Sequence, residues 1–308
     1  MLQIVVGILL LYFGAEALVR GSTNLSIRAG ISPLVVGLTV VAFGTSAPEL
    51  TVSLTASLQG MGAVSFGNVI GSNVFNIVVI LALSSIIHPL SIHVNLLKRD
   101  IPIMIGISLI GFGLIGFDLV PRWVGFLLLL LLGGYIIFTL RLARKESKEN
   151  TKLFDVTPKP EGPLWRDIVF VIAGLGVLVW GAEMFVAGAV GIAAKLGISE
   201  AVIGLTIIAA GTSLPELATS IVAALKRQTD IAVGNIVGSN IFNILLILGS
   251  TAAVRPIDTT GISFIDGAFM LGSSIILLPL AFTDRSISRI EGLVLFSIYG
   301  GYLYWLWP

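Results

Sequence analysis

Long apolar runs separated by short polar segments make up most of the chain. A helix needs about 20 mostly apolar residues to cross the hydrocarbon core of a bilayer. Ten segments meet this requirement. They lie near residues 2–20, 33–58, 62–87, 101–117, 122–141, 167–188, 199–225, 230–253, 263–283 and 290–307. The pattern predicts an all-α membrane protein with ten transmembrane helices.

One polar stretch, residues 144–166, interrupts this pattern and is too short to form a folded domain. We interpret it as a cytoplasmic linker between two five-helix halves, residues 1–143 and 167–308. Because five is an odd number, the second half must enter the membrane from the opposite side. Such inverted repeats are common in secondary transporters.

The two halves repeat each other in sequence at an offset of 167 residues. Gly-Thr-Ser-Ala-Pro-Glu at 44–49 recurs as Gly-Thr-Ser-Leu-Pro-Glu at 211–216, and residues 67–77 recur at 234–244 with only Val/Ile exchanges. The alternative to a transporter is a duplicated scaffold without a transport role. The best-matched segments are polar, whereas a scaffold inside a membrane should be apolar.

The composition supports a membrane location. Of the 308 residues, 56% are hydrophobic and 11% are charged, which is too little charge to cover a soluble domain of this length. The absence of cysteine excludes disulfides and thiolate metal sites. The first apolar run has no basic segment before it and no small-residue cleavage pattern, so we interpret it as a retained span.

The basic residues predict the orientation. If the N-terminus lies outside, all but three of the 18 Lys and Arg residues fall in cytoplasmic loops or at their edges. The exceptions are Arg122, Lys195 and Arg255. Since cytoplasmic loops of membrane proteins are enriched in Lys and Arg, we expect a multi-pass protein of the cell membrane with both termini outside.

Glu49 and Glu216 lie deep inside otherwise apolar spans. A charge at the bilayer centre costs about 2.5–3.5 kcal/mol on insertion scales, and the second, third, seventh and eighth spans have no Lys or Arg in their cores. The counter-charge must be a proton or a bound cation. Two carboxylates that meet among hydroxyls and amides suit Ca²⁺, a hard cation that binds oxygen. The alternative is a pair of protonated structural glutamates.

The prolines next to these glutamates predict breaks in both helices. Pro48 and Pro215 have no backbone N–H to donate and crowd the carbonyls of Gly44 and Gly211. The breaks free carbonyls around residues 42–45 and 209–212, which need a cavity or an ion as partner. Thr45 and Ser46 share a helical face with Glu49.

The third and eighth spans each carry a polar stripe at four-residue steps. Ser72, Asn76, Ser239 and Asn243 lie deep in the membrane and are ligand candidates. Asn68 and Asn235 are either ligands or ties between helices. Gly71 and Gly238 are expected to let backbones approach closely.

Glu16 and Glu183 are also related by the repeat but lie nearer the ends of their spans. We expect a structural or vestibule role, with Glu16 paired to Arg20 four residues on. Glu183 has Ala187 at that spacing and therefore no such partner.

The paired motifs Gly-Thr-Ser-x-Pro-Glu and Gly-Asn-x-x-Gly-Ser-Asn-x-x-Asn resemble the two alpha repeats of the sodium/calcium exchangers, within the cation/Ca²⁺ antiporter superfamily. The resemblance covers essentially the whole chain. It implies one Ca²⁺ site and several Na⁺ sites between the second, third, seventh and eighth helices. The implied Ca²⁺ ligands are Glu49, Glu216 and the carbonyls of Thr45 and Thr212. The implied Na⁺ ligands are Ser46, Ser72, Ser213, Ser239 and the carbonyls of Ala42 and Ala209, with Asn76 and Asn243 at the middle position.

Two departures from the family pattern narrow these expectations. Asn243 stands where K⁺-dependent relatives have Asp, so K⁺ dependence is not expected. The central loop is too short for the Ca²⁺-sensing domains of animal exchangers, so we expect no regulation of that kind.

We expect alternating access, in which the first and sixth helices slide against a core that holds the sites. A H⁺/Ca²⁺ antiporter of the same superfamily is the nearest alternative, and a passive cation channel a more distant one. No enzymatic activity and no cofactor are expected. The expected partners are Ca²⁺ and Na⁺ as substrates and the lipid bilayer, with no nucleic acid and no obligate protein partner.

Overall fold

The computed structural model describes residues 1–150, 160–196 and 209–306, which are mostly helical. The helices are α1 (Leu2–Ala29), α2 (Pro33–Thr45), α3 (Ala47–Leu58), α4 (Gly62–Ile87), α5 (Ile101–Leu114), α6 (Arg122–Asn150), α7 (Leu164–Lys195), α8 (Ala209–Gly211), α9 (Leu214–Leu225), α10 (Thr229–Val254), α11 (Phe264–Phe282) and α12 (Arg289–Leu306). A π-helical turn, Leu96–Asp100, precedes α5.

An all-α membrane protein is confirmed. Within the described residues, six helices are long and apolar enough to cross a membrane, and α2 with α3 makes a seventh when the bent pair is taken as one span. The predicted span at 199–225 lies partly outside the described residues. Its described part is α8 and α9.

Helices α1 and α7 are longer than the predicted spans 2–20 and 167–188. The apolar run of α1 continues as a more polar helical segment that ends at Ala29. It is followed by Gly30, a left-handed residue with φ of 63°. Polar contacts with the start of α7 hold this extension. Arg28 Nε lies 2.6 Å from Asp167 Oδ2, and Asn24 donates to Asp167 Oδ1 at 2.9 Å.

The predicted linker 144–166 overlaps helix at both ends, because α6 runs to Asn150 and α7 begins at Leu164. Residues 151–159 lie outside the described residues. The predicted pairing of Glu16 with Arg20 is wrong. Arg20 pairs with Glu161 at 3.0 Å, and Glu16 pairs with Lys226 at 2.6 Å, because partners on neighbouring elements replace the local one.

Helices α1 and α7 pack antiparallel through glycines spaced seven residues apart. A Cβ added to Gly14 would lie 3.0 Å from the Gly174 carbonyl oxygen, and one added to Gly181 would lie 3.1 Å from that of Gly7. The backbones are therefore in contact. Small residues allow this close approach, and van der Waals packing stabilises helix pairs in a membrane. The members of the stripe are Gly7, Gly14, Gly21, Gly174, Gly181 and Gly188.

Two short ribbons join the halves. β1 (Leu90–Ser91) pairs antiparallel with β4 (Ser286–Ile287), and β2 (Leu119–Val120) pairs antiparallel with β3 (Ile257–Asp258). The repeat offset converts β1 into β3 and β2 into β4. Each ribbon therefore contains one strand from each half.

The ribbons mark opposite ends of the central helix pair, α4 and α10. Ser91 Oγ lies 2.8 Å from Thr229 Oγ1, which places β1 at the end of α4 and the start of α10. The backbone of Asp258 lies against Gly62, which places β3 at the end of α10 and the start of α4. Helices α4 and α10 therefore run antiparallel.

The same two helices form the centre of the molecule. In their most apolar 18 residues, 94% of α10 and 72% of α4 are buried, against 28–33% for the other four long spans. A helix that is covered on all sides can carry inward-facing polar groups without exposing them to lipid.

Candidate ion-binding site

Helix breaks position both carboxylates. Helix α2 ends at Thr45, Ser46 leaves the helical conformation with ψ of 6°, and α3 starts at a 45° bend. Pro48 lies in the first turn of α3, where a backbone N–H has no helical partner to lose. The predicted opening beside Glu49 is confirmed.

The second half repeats this arrangement. Helix α8 ends at Gly211, Ser213 has ψ of 7°, and α9 begins with Pro215 in its first turn. Glu49 and Glu216 thus both lie in the first turn of a half-helix, where the helix dipole favours negative charge.

Each carboxylate is held by the serine of the other half. Ser213 donates to Glu49 Oε1 at 2.9 Å, and Ser46 donates to Glu216 Oε1 at 3.2 Å. Both glutamates are 1% exposed. The structure therefore brings the two motifs together at one buried site.

Asn68 and Asn235 tie helices together. Asn68 donates to Ser53 Oγ at 2.9 Å and to the Glu49 carbonyl at 3.4 Å. Asn235 makes the equivalent bonds to Ser220 Oγ at 3.1 Å and to the Glu216 carbonyl at 3.4 Å. These bonds fix the backbone behind each carboxylate. They agree with the second of the two predicted roles, that of ties between helices.

The side chain of Thr45 is engaged in the same scaffold, since its hydroxyl donates to Asn235 Oδ1 at 3.1 Å. Thr212 is partly buried at the equivalent place. The predicted use of the Thr45 and Thr212 carbonyls as ligands stays a prediction. So does that of the carbonyls of Ala42, which is buried, and Ala209, which begins the described part of its span.

Several buried oxygens of the two glutamates and of the predicted ligand residues have no hydrogen-bond partner among the described residues. Burying such atoms is costly unless a donor or a cation is supplied. They are Glu49 Oε2, Glu216 Oε2, Asn76 Oδ1, Asn243 Oδ1 and Ser239 Oγ. Ser72 Oγ lies nearby, 3.4 Å from Ser213 Oγ.

Among the described residues, no cationic side chain neutralises the two carboxylates. The described part of the chain places no lysine or arginine within salt-bridge distance of Glu49 or Glu216. The described residues also contain no cluster of three or more His, Cys, Asp or Glu side chains. Two carboxylates and neutral oxygens therefore make up the candidate donor set.

Gly71 of α4 and Gly238 of α10, which lie beside the polar stripes, have different surroundings. A Cβ added to Gly238 would lie 2.7 Å from Ala42 Cβ and 2.8 Å from the Leu38 carbonyl oxygen, so the predicted close approach is confirmed there. At Gly71 no described atom lies within 4 Å of such a Cβ. The counterparts of Leu38 and Ala42 by the repeat offset are residue 205, outside the described residues, and Ala209 at their edge.

Sequence reasoning missed two buried asparagines, Asn73 and Asn240. Asn240 Oδ1 accepts from Asn76 Nδ2 at 3.0 Å, and Asn73 Oδ1 accepts from Asn243 Nδ2 at 3.0 Å. Their repetition within the Gly-Ser-Asn motif was a usable signal.

Sequence reasoning also missed a π-helical turn in each stripe helix. The turns Asn76–Leu81 and Asn243–Leu248 begin at the two asparagines that are predicted ligands. Such turns occur frequently at functional sites because they redirect one side chain out of the regular helical register.

Known proteins match almost the whole length of the chain. The family described as sodium/calcium exchanger protein matches residues 1–141 and 167–307. The sodium/calcium exchanger MaX1 of Methanosarcina acetivorans is 32% identical over 98% of this chain and 97% of its own length. The inner membrane protein YrbG of Escherichia coli is 36% identical over 99% and 97%.

A solved structure shares the fold. The sodium-calcium exchanger NCX_Mj, soaked with zero Na⁺ and Ca²⁺, superimposes with a TM-score of 0.86 at 32% identity, covering 99% of this chain and 97% of the other. Family match, identity and fold agree with the repeated motifs around Glu49 and Glu216. The chain belongs to the sodium/calcium exchanger family.

Proposed function

We propose that this chain is a secondary antiporter that exchanges Na⁺ for Ca²⁺ across the membrane at the site between α3, α4, α9 and α10. One observation carries the proposal. Two buried carboxylates from opposite halves meet with unpartnered oxygens, and no described lysine or arginine neutralises them. Relatives named sodium/calcium exchangers support the choice of ions.

Ca²⁺ would bind between Glu49 and Glu216. Ca²⁺ takes six to eight oxygen ligands, and two carboxylates balance its charge. The Oε2 atoms, which have no hydrogen-bond partner among the described residues, would be ligands, together with the carbonyls of Thr45 and Thr212. Asn76 and Asn243 would add amide oxygens at the middle of the site.

Na⁺ would occupy positions around this centre that offer mostly neutral oxygens. The candidates are the hydroxyls of Ser46, Ser72, Ser213 and Ser239 and the carbonyls of Ala42 and Ala209. Several Na⁺ ions could then replace one Ca²⁺ while the two carboxylates remain neutralised. Gly71 and Gly238 would keep the helices near these positions free of side chains.

Changing the accessible side of the site without a bound ion would be unfavourable, because two bare carboxylates would pass through a closed, dry intermediate.

The glycine contacts between α1 and α7 support a rigid pair that moves as one unit. Helix α1 now lies along α9, whereas α7 makes no comparable contact with α3 in the described residues. Within the described residues, the α1–α7 pair therefore covers α9 but not α3.

We further infer ten transmembrane helices in two inverted halves, residues 1–143 and 167–308, with a cytoplasmic linker at 144–166. The antiparallel course of α4 and α10 and the repeat-related ribbons at their opposite ends support the inversion. The basic residues support termini on the outside. On this orientation, the uncovered α3 faces the exterior and the covered α9 faces the cytoplasm.

The experiment is radiolabelled Ca²⁺ uptake into proteoliposomes of purified protein, loaded with Na⁺, with K⁺ or with acidic buffer alone. We expect uptake only from Na⁺-loaded vesicles, since neutral oxygens around the carboxylates suit Na⁺. The Glu216→Gln variant in the same vesicles measures the background.

Two other outcomes would each change the proposed function. Uptake driven by an outward proton gradient without Na⁺ would replace Na⁺ by H⁺ as the counter-ion. Equal uptake under all three conditions would indicate a passive channel and contradict antiport.

A further inference from the structure

The asparagine amides that are proposed to face the ion site can bind a cation in one orientation only. The side-chain oxygen of Asn can bind a cation, whereas its NH₂ group repels one. The two groups have nearly the same shape, so hydrogen-bond partners decide which one faces inward. Asn76 Nδ2 and Asn243 Nδ2 each donate to an acceptor, and both Oδ1 atoms have no described partner.

Those acceptors are themselves amides and need the same kind of control. Asn240 must present its oxygen to Asn76, so its NH₂ group must find an acceptor elsewhere. It donates to Met104 Sδ at 3.6 Å. In the other half, Asn73 donates to Met270 Sδ at 3.6 Å.

A thioether sulfur has no hydrogen to donate and can only accept. If Asn240 were flipped, its oxygen would face the sulfur and its NH₂ group would face that of Asn76. Both contacts would then lack a shared hydrogen. The sulfur thus fixes Asn240, and Asn240 in turn fixes Asn76.

Both methionines are held firmly in place. Met104 and Met270 are 0% and 1% exposed. One turn further along their helices, Ser108 Oγ lies 3.1 Å from Ser274 Oγ, which joins α5 to α11. The sulfurs therefore occupy fixed positions behind the amides.

We propose that Met104–Asn240–Asn76 and Met270–Asn73–Asn243 are two hydrogen-bond relays, in which a sulfur acceptor outside the site sets the orientation of the ion-facing amide. Asn73, Asn240, Met104 and Met270 are positioning residues and do not touch the ion. This proposal rests on the proposed function, because it assigns the amide oxygens to transported Ca²⁺.

Leucine tests the relay, because Met→Leu conserves volume and removes only the acceptor. The net contribution of one hydrogen bond corresponds to about a two- to tenfold change in an equilibrium. We expect Met104→Leu and Met270→Leu each to raise the half-saturating Ca²⁺ concentration for uptake by that factor. Because the two relays have separate members, the double variant should show roughly the product.

The readout is the split between half-saturating Ca²⁺ and maximal rate in Na⁺-loaded proteoliposomes. Loss of packing alone would lower the thermal midpoint or the maximal rate and leave half-saturation unchanged, which would overturn the relay. Met61→Leu, in the exposed turn between α3 and α4, is the matched control. If the proposed function failed, the unsubstituted protein itself would show no Na⁺-driven uptake, which is a distinct result.

Discussion

The half-helices α3 and α9 have equivalent places in the repeat but different surroundings. Val52 of α3 is 40% exposed, whereas its counterpart Thr219 of α9 is 0% exposed. Thr55 is exposed and its counterpart Val222 is buried. Helix α1 lies along α9, and the described residues show no comparable cover of α3 by α1 or α7.

The inner side of the same half-helices is nearly symmetric. Each glutamate accepts from a serine of the other half, and each is backed by an asparagine of its own half. We infer that ion binding depends on the serine and asparagine contacts that both halves make. Access to the site depends on the helical cover, which differs between α3 and α9.

One charge difference accompanies the asymmetric cover. Glu16 of α1 pairs with Lys226 at the end of α9. The repeat counterparts are Glu183 of α7 and Gln59, which follows α3 and cannot form an ion pair. The ion pair therefore stabilises the contact of α1 with α9, and the residues at the equivalent places of α7 and α3 cannot form such a pair.

Removing either carboxylate should have the largest effect, because both halves contribute to one site. We expect Glu49→Gln and Glu216→Gln each to reduce Na⁺-driven Ca²⁺ uptake by roughly 100-fold or more, since the charge of the ligands sets Ca²⁺ affinity over several orders of magnitude. Glu183→Gln, at an exposed carboxylate of α7, is the control. Retention of uptake in one of the two site variants would contradict a shared site.

Separating α1 from α7 should destroy the unit that covers α9. A side chain at Gly14 would collide with the backbone of α7 near Gly174 and Leu178, so Gly14→Leu should cost about 1–3 kcal/mol of stability. Thermal unfolding in detergent measures this loss. Gly176→Leu, with no described atom within 4 Å of an added Cβ, should change the midpoint little. Equal losses in both variants would argue against the glycine contact.

Thiol labelling should reveal the asymmetry directly, since the chain has no cysteine of its own. We expect Thr55→Cys to react with a membrane-impermeant reagent about tenfold or more faster than Val222→Cys, because a buried thiol reacts only after local opening. The labelling reaction in proteoliposomes is quenched at successive times, and mass spectrometry of the protein gives the rates. Similar rates would show that the two half-helices are equally accessible.

Removing the charge difference should have the smallest effect. Partly exposed ion pairs contribute about 0.2–1 kcal/mol, so Lys226→Gln should raise the labelling of Val222→Cys by about 1.4- to fivefold. Gln59→Lys would give Glu183 a partner and should lower the labelling of Thr55→Cys. Labelling rates insensitive to both changes would show that the ion pair does not bias the conformation.

The sequence predicts the class of protein, most span positions and the two glutamates, because apolar length and isolated charge have a strong energetic meaning in a bilayer. The helix breaks at Ser46 and Ser213 follow equally directly from Pro48 and Pro215. The roles of Asn68 and Asn235 could be narrowed to two, and the contacts with Ser53 and Ser220 decide between them.

Other features depend on packing that no local pattern contains. The π-helical turns at Asn76 and Asn243 each shift a helix by one register step, and the contacts of Asn73 and Asn240 join elements far apart in the chain. Glu16 prefers a partner 210 residues away to one four residues away. The different cover of α3 and α9 cannot be predicted from two nearly identical motifs, because it belongs to one conformation of the protein.

Reciprocal labelling tests the central claim most directly. Thr55→Cys and Val222→Cys would be labelled separately in proteoliposomes while the Na⁺ gradient is reversed in the presence of Ca²⁺. Because α1 and α7 are proposed to move as one unit, conditions that raise the labelling of one position should lower that of the other. A simultaneous rise at both positions, or no change while exchange proceeds, would contradict alternating access at a single site.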